Sequence, residues 1–234
     1  MGHVVLLGDS IFDNGAYVAG GPDVGRQLGA CLPAGWRATL AAVDGAVAAG
    51  VAAQLPRIPA DATHLAVSAG GNDALRQASI LEQPARSVAE AVLALADARD
   101  RFAADYHAML DAVLARRLPT ALCTIYDARF PDPVQHRLVG AGLALFNDVI
   151  TRAAFTRGLA LVDLRLLCGD DADYANPIEP STTGGAKIAA ALAHWATGPY
   201  GSPDTLRPQD QPHPSPVFAH GKGGIPSDAG HQKP

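Results

Sequence analysis

His3-Val4-Val5-Leu6-Leu7-Gly8-Asp9-Ser10 decides the fold. Its apolar run is too short for a helix and stops at a Gly-Asp turn signal, so it predicts a buried strand over residues 3–7. Runs of the same form at residues 39–43, 64–68, 120–126 and 159–163 predict four more strands. The segments between them carry helical period. Phe102, Tyr106, Met109, Leu110, Val113 and Leu114 recur at steps of three and four and stop before Pro119. Leu143, Phe146, Val149, Ile150 and Ala153 repeat the pattern, as do Ile188, Leu192 and Trp195. Strands alternating with helices joined by right-handed crossovers give an α/β class, with a parallel sheet covered on both faces.

With 234 residues, 48% of them hydrophobic, the chain is long enough for one sizeable core and short for two. It divides into a domain at residues 1–197 and a tail at 198–234. The last 37 residues hold eight prolines and six glycines and few clustered apolar side chains, so a disordered tail is expected there. A formal charge of −5, from 18 basic and 23 acidic residues without long runs, gives no footprint for nucleic acid. No run reaches the roughly 18 uninterrupted apolar residues of a membrane span. Cys31, Cys123 and Cys168 are odd in number and far apart, which disfavours a disulfide framework and a cysteine-rich zinc site. The tail histidines His213, His220 and His231 lack metal-ligand spacing. Without a signal-peptide pattern at Met1-Gly2-His3, the expectation is a cytoplasmic protein.

Two motifs carry chemistry. Gly8-Asp9-Ser10-Ile11-Phe12-Asp13-Asn14-Gly15 follows the first strand, where a serine held out from the sheet edge beside backbone N–H groups is placed for acyl transfer. Taken alone, a Gly-Asp-Ser string favours Ser10 as the cap of a following helix. Ser68-Ala69-Gly70-Gly71-Asn72-Asp73 follows the third strand and opens onto the same edge. Together the two strings resemble the GDSL family of the SGNH hydrolase superfamily. That resemblance implies a flavodoxin-like, doubly wound sheet of five parallel strands, with Ser10 as nucleophile and the Asn72 amide as an oxyanion donor. Gly45, in Asp44-Gly45-Ala46 after the second strand, matches a further oxyanion position through a weaker motif. Such preorganised donors stabilise a tetrahedral intermediate by about 3–4 kcal/mol each in favourable cases.

The family closes with Asp-x-x-His before its last helix. Here the same frame reads Asn176-Pro177-Ile178-Glu179-Pro180, followed by Ser181 to Ala186 and the final apolar stripe. Asn176 stands at the Asp position and Glu179 at the His position. A carboxylate needs no acidic partner to orient a ring N–H, and an Asn amide can donate to it, so Glu179 as base held by Asn176 is chemically coherent. Its reference pKa lies about two units below that of His, a loss of up to roughly 3 kcal/mol in driving force unless burial raises it. An Asn176 hydrogen bond would act in the opposite direction. His136, in the loop expected at 127–137, is a substitute base on the same edge, whereas His64 precedes its strand and belongs to the other end. His107 and His194 read as helix-surface residues.

The function expected is hydrolysis of a small-molecule carboxylic ester, or transfer of its acyl group, through acyl-Ser10, with no cofactor implied. The rival is a catalytically inert SGNH-fold protein that binds an acylated or glycan ligand or a protein partner. A nucleotide-binding flavodoxin-like reading is disfavoured by Asp9 and Asp13 where phosphate would sit.

Overall fold

The computed structural model describes residues 1–198. In chain order it comprises β1 (His3–Gly8), α1 (Val24–Cys31), β2 (Arg37–Leu40), a 3-10 helix (Ala48–Arg57), β3 (His64–Ser68) and α2 (Gly71–Arg76). A second 3-10 helix (Ala78–Glu82), α3 (Val88–Leu114), β4 (Thr120–Cys123), α4 (Pro133–Thr156), β5 (Ala160–Val162) and α5 (Leu164–Leu167) follow. After a short 3-10 turn at Asp171–Asp173 the described chain ends with β6 (Tyr174–Asn176), β7 (Glu179–Pro180) and α6 (Thr182–Thr197). The expected disordered tail, save Gly198, lies outside the described residues.

The five long strands form one parallel sheet in the order β2-β1-β3-β4-β5. Side chains alternate across it with a period of two. Val4 and Leu6 of β1 face a core built with α1 and α6, including Val24, Leu28, Ile188, Leu192 and Trp195. Val5 and Leu7 face the opposite core, where Phe102, Tyr106 and Leu110 of α3 meet Phe146 and Ile150 of α4. The sheet is thus doubly wound, with a helical layer on each face. By composition and length α4 could cross a bilayer, but its stripe of Phe146, Val149, Ile150 and Ala153 is packed into this core.

Local chemistry sets the helix ends. Ser87 accepts from the Glu90 amide at the start of α3, Asp132 caps α4 ahead of Pro133, and Ser181 accepts from the Thr183 and Gly184 amides of α6. Two strands are shorter than their apolar runs, ending at Cys123 and Val162, and β2 is shifted toward Arg37.

This strand order reverses between β1 and β3, leaving a crevice at their carboxyl ends, which is where open α/β sheets bind ligands. Both chemical motifs emerge there. Gly8 makes the close approach possible: its φ is +125°, and a Cβ on it would lie 1.7 Å from the Ser68 carbonyl oxygen. The buried Gln54 amide clamps that glycine, accepting from its N–H at 2.8 Å and donating to its carbonyl at 2.7 Å.

Candidate active site

Beyond β1 the chain makes a turn rather than the helix expected after Ser10. The Phe12 and Asp13 amides donate to the Asp9 carbonyl, and α1 begins only at Val24. Ser10 is therefore not a helix cap. Its hydroxyl donates to Glu179 Oε1 at 3.0 Å, across 169 residues of sequence. Glu179 is 5% exposed, and its Oε2 is buried without a hydrogen-bond partner. Burial is the main cause that pushes its carboxyl up to about 7; the Ser10 hydrogen bond opposes the shift and the negative Asp44 adds to it.

Asp9 forms a second buried carboxyl beside the serine and is also pushed up to about 7. Burial dominates again, the bond from the Ile11 amide acts against it, and the charge of Glu179 reinforces it. Among the described residues no Lys or Arg pairs with either group. A hydroxyl bonded to a carboxylate that titrates near neutrality can give up its proton there at neutral pH, which an ordinary surface Glu could not accept as readily.

Glu179 is delivered by an antiparallel β6-β7 hairpin absent from the sequence expectation, in which Asn176 and Glu179 are paired across the strands. Asn176 does not hold Glu179. Its side-chain oxygen accepts from the Ile178 amide at 2.9 Å, closing the turn of the hairpin, because a short Asx side chain is captured by its own backbone two residues on. The hairpin is instead fixed from outside. The Arg129 amide donates to the Pro177 carbonyl at 2.8 Å, the Tyr126 hydroxyl to Ile178 at 2.7 Å and the Asn14 amide to Pro180 at 3.1 Å. Gly184 lets α6 close against its base: a Cβ there would stand 2.2 Å from the Asp173 carbonyl oxygen.

Asn72 begins α2 and faces the crevice. One of its two amide hydrogens is donated to the Ala46 carbonyl at 3.0 Å, which ties the Gly45 loop to the β3 loop and leaves the other for a ligand. Gly45 sits at φ +76° in an exposed turn closed by the Ala46 amide and the Val43 carbonyl. His136 is not on a loop. It lies in the first turn of α4, its amide bonded to the Asp132 cap, and it is not bonded to Ser10. His64 is the first residue of β3 rather than preceding it, and at that far end it packs between Trp36 and Trp195.

A cavity of about 120 Å³ opens beside Ser10. Asp9, Ser10, Asn72 and Glu179 stand together at its polar end, and side chains of α2, the 3-10 helix Ala78–Glu82, α3 and the first half of α4 supply otherwise apolar walls. Sequence reasoning missed these walls, and missed Gln54, Asn14 and Tyr126. Gln54 left one signal, a lone amide within the apolar run from Val51 to Leu55. Asn14 left another, inside the Ser10 motif itself.

The GDSL-like lipase/acylhydrolase family model matches residues 6–233. No curated protein matches the chain. Among solved structures, the lipase Lip_vut3 from a goat rumen metagenome is similar with a TM-score of 0.65 at 18% identity, over 86% of this chain and 100% of that one. An extracellular lipase from Streptomyces rimosus gives 0.62 at 18% identity over 84% and 100%. The inhibitor-bound aryl esterase of M. smegmatis gives 0.59 at 12% identity over 84% and 98%. At these identities the likeness carries the fold alone. Strand order, crevice and family match agree: the chain belongs to the GDSL-like lipase/acylhydrolase family.

Proposed function

We propose that the protein hydrolyses carboxylic esters through an acyl intermediate on Ser10, with Glu179 as the general base. The observation that carries this reading is the 3.0 Å bond from the Ser10 hydroxyl to a Glu179 carboxylate raised to about 7 by burial. That shift offsets the weakness of a carboxylate base, and no Asn176 amide bond counteracts it. In the first step Ser10 Oγ attacks the carbonyl carbon as its proton passes to Glu179 Oε1. The oxyanion lies toward the Ser10 N–H and the second Asn72 amide hydrogen, with the Gly45 N–H as a further candidate. Collapse breaks the ester bond, and the departing alcohol takes the proton from Glu179. Water then attacks the acyl-serine, gives its proton to Glu179, and Ser10 leaves reprotonated. Family membership supports the hydrolase class, and the Ser10–Glu179 bond with the raised carboxyl supports the base.

A fluorophosphonate probe tests this without knowledge of the substrate. Mass spectrometry is expected to find one adduct, on Ser10, that disappears in Ser10→Ala. No adduct after prolonged exposure of the folded protein would overturn the reading in favour of an inert binding protein.

A further inference from the structure

Resting on the ester-hydrolase reading, we infer that the cavity beside Ser10 holds the acyl half of the substrate, and that this half is an apolar chain of medium length whose room depends on the missing side chain at Gly142 of α4. Three observations carry this. First, the polar groups that would act on the ester carbonyl cluster at one end of the cavity, while Ile80, Leu95, Leu143 and Phe146 line the remainder. Apart from Gln77 these walls offer no polar side chain to a hydroxylated or charged group, which would be left largely unpaired on burial. Second, the volume, about 120 Å³, approaches that of engineered apolar cavities of roughly 150 Å³ that bind benzene, and far exceeds the need of an acetyl group. Third, the lining continues into half-exposed Leu75, Leu81 and Leu138, so the walls reach solvent and a longer chain would trail outside with little further gain.

The other side of the dyad differs in kind. There the Tyr17 hydroxyl donates to Asp44 at 2.8 Å and the Asp44 amide to Asp13 at 3.0 Å, on an exposed polar rim. The alcohol half leaves by that side. Gly142 lies on the cavity wall, and a Cβ added there meets nothing within 4 Å, so a larger side chain can be accommodated by the backbone while occupying open space.

The test is a series of p-nitrophenyl esters from acetate through butyrate, hexanoate, octanoate and decanoate to palmitate. Each methylene that enters the cavity is expected to raise kcat/KM by about fourfold, the equivalent of ~0.8 kcal/mol, until the cavity is full. The profile should peak at an intermediate chain. In Gly142→Leu the peak should move at least one step shorter and the octanoate-to-acetate ratio should fall by tenfold or more, whereas Ala144→Leu, at an exposed position of the same helix, should keep the wild-type ratio. Calorimetry of decanoic acid against Ser10→Ala supplies a readout independent of turnover, with binding expected and lost on adding Gly142→Leu. A flat profile in an active enzyme, or a peak that Gly142→Leu leaves in place while its melting temperature shows it folded, overturns the inference. Decanoate binding that is sensitive to Gly142→Leu in a protein without esterase activity would uphold the chain site and refute the catalytic reading instead.

Discussion

The two ends of the parallel sheet both carry buried polar groups, and they treat them in opposite ways. At the amino end His3 is 3% exposed and lies 3.1 Å from Asp61 and 2.7 Å from Thr39, while its amide donates to Thr63 Oγ1 at 2.7 Å. Thr63 also stands 2.7 Å from His64 Nδ1, and Arg37 pairs with Asp61. At the carboxyl end two buried carboxyls repel one another with no Lys or Arg paired to either among the described residues, and one oxygen of Glu179 is unpartnered there. A satisfied cluster stabilises and specifies a fold, whereas an unsatisfied one costs stability and is retained where chemistry uses it. The amino end is read as structure and the carboxyl end as reactivity.

The comparison breaks most decisively at Glu179. Replacing it with Gln should reduce kcat/KM by about 10² to 10⁴, the usual reach of a general base, while raising the melting temperature at pH 8, since a buried charge is removed. Steady-state kinetics and thermal unfolding of one preparation check both halves. Loss of activity together with loss of stability would mean that the carboxyl end is structural too.

The pH dependence sharpens the same contrast. Because the base must be ionised, kcat/KM should rise about tenfold per pH unit below roughly 7 and level off above it. Stability moves the other way. Asp9 and Glu179 bind protons more tightly in the folded chain than at their ordinary values of 3.8 and 4.5, so their contribution is full below those values and is lost as pH rises toward about 7. The melting-temperature advantage of Glu179→Gln over the wild type should therefore widen between pH 4.5 and 7 and stay constant above. A constant difference across that range would contradict the raised carboxyl.

The smallest effect belongs to the amino end. Thr63→Val removes the acceptor of the His3 amide and the neighbour of His64, and should lower stability by about 1–3 kcal/mol. The kcat/KM for a short ester should stay within twofold of wild type, as read from urea unfolding and initial rates.

What was legible in the sequence was what lies within a few residues of itself. The apolar run before Gly8 and its four counterparts give the strands, and Ser10 and Asn72 sit in contiguous strings whose position after a strand fixes where they open. Glu179 could be found because a frame of Pro, Ser and Gly surrounds it. Its partner was misread: Asn176 faces Glu179 in the ladder, yet its side chain closes onto the nearer Ile178 amide, a local capture that spacing alone does not separate from a bond across the turn. Gln54 and Tyr126 act on Gly8 and Ile178, 46 and 52 residues away, and no local pattern encodes such pairings. The cavity is drawn from six separate stretches of chain, and the apolar stripe of α4 that supplies part of it reads as ordinary core.

The bond between Ser10 and Glu179 spans 169 residues, and synthesis gives that separation a duration. At about 5–20 residues per second, a ribosome makes the serine roughly 10 to 30 seconds before the glutamate that accepts its hydrogen bond. Throughout that interval the Ser10 hydroxyl lacks this partner, and the pair forms only when the last hairpin docks against Asn14 and Tyr126. On the proposed mechanism, esterase activity in a translation reaction would report folded chains that extend past residue 179, and stalled or truncated products ending before it would be silent.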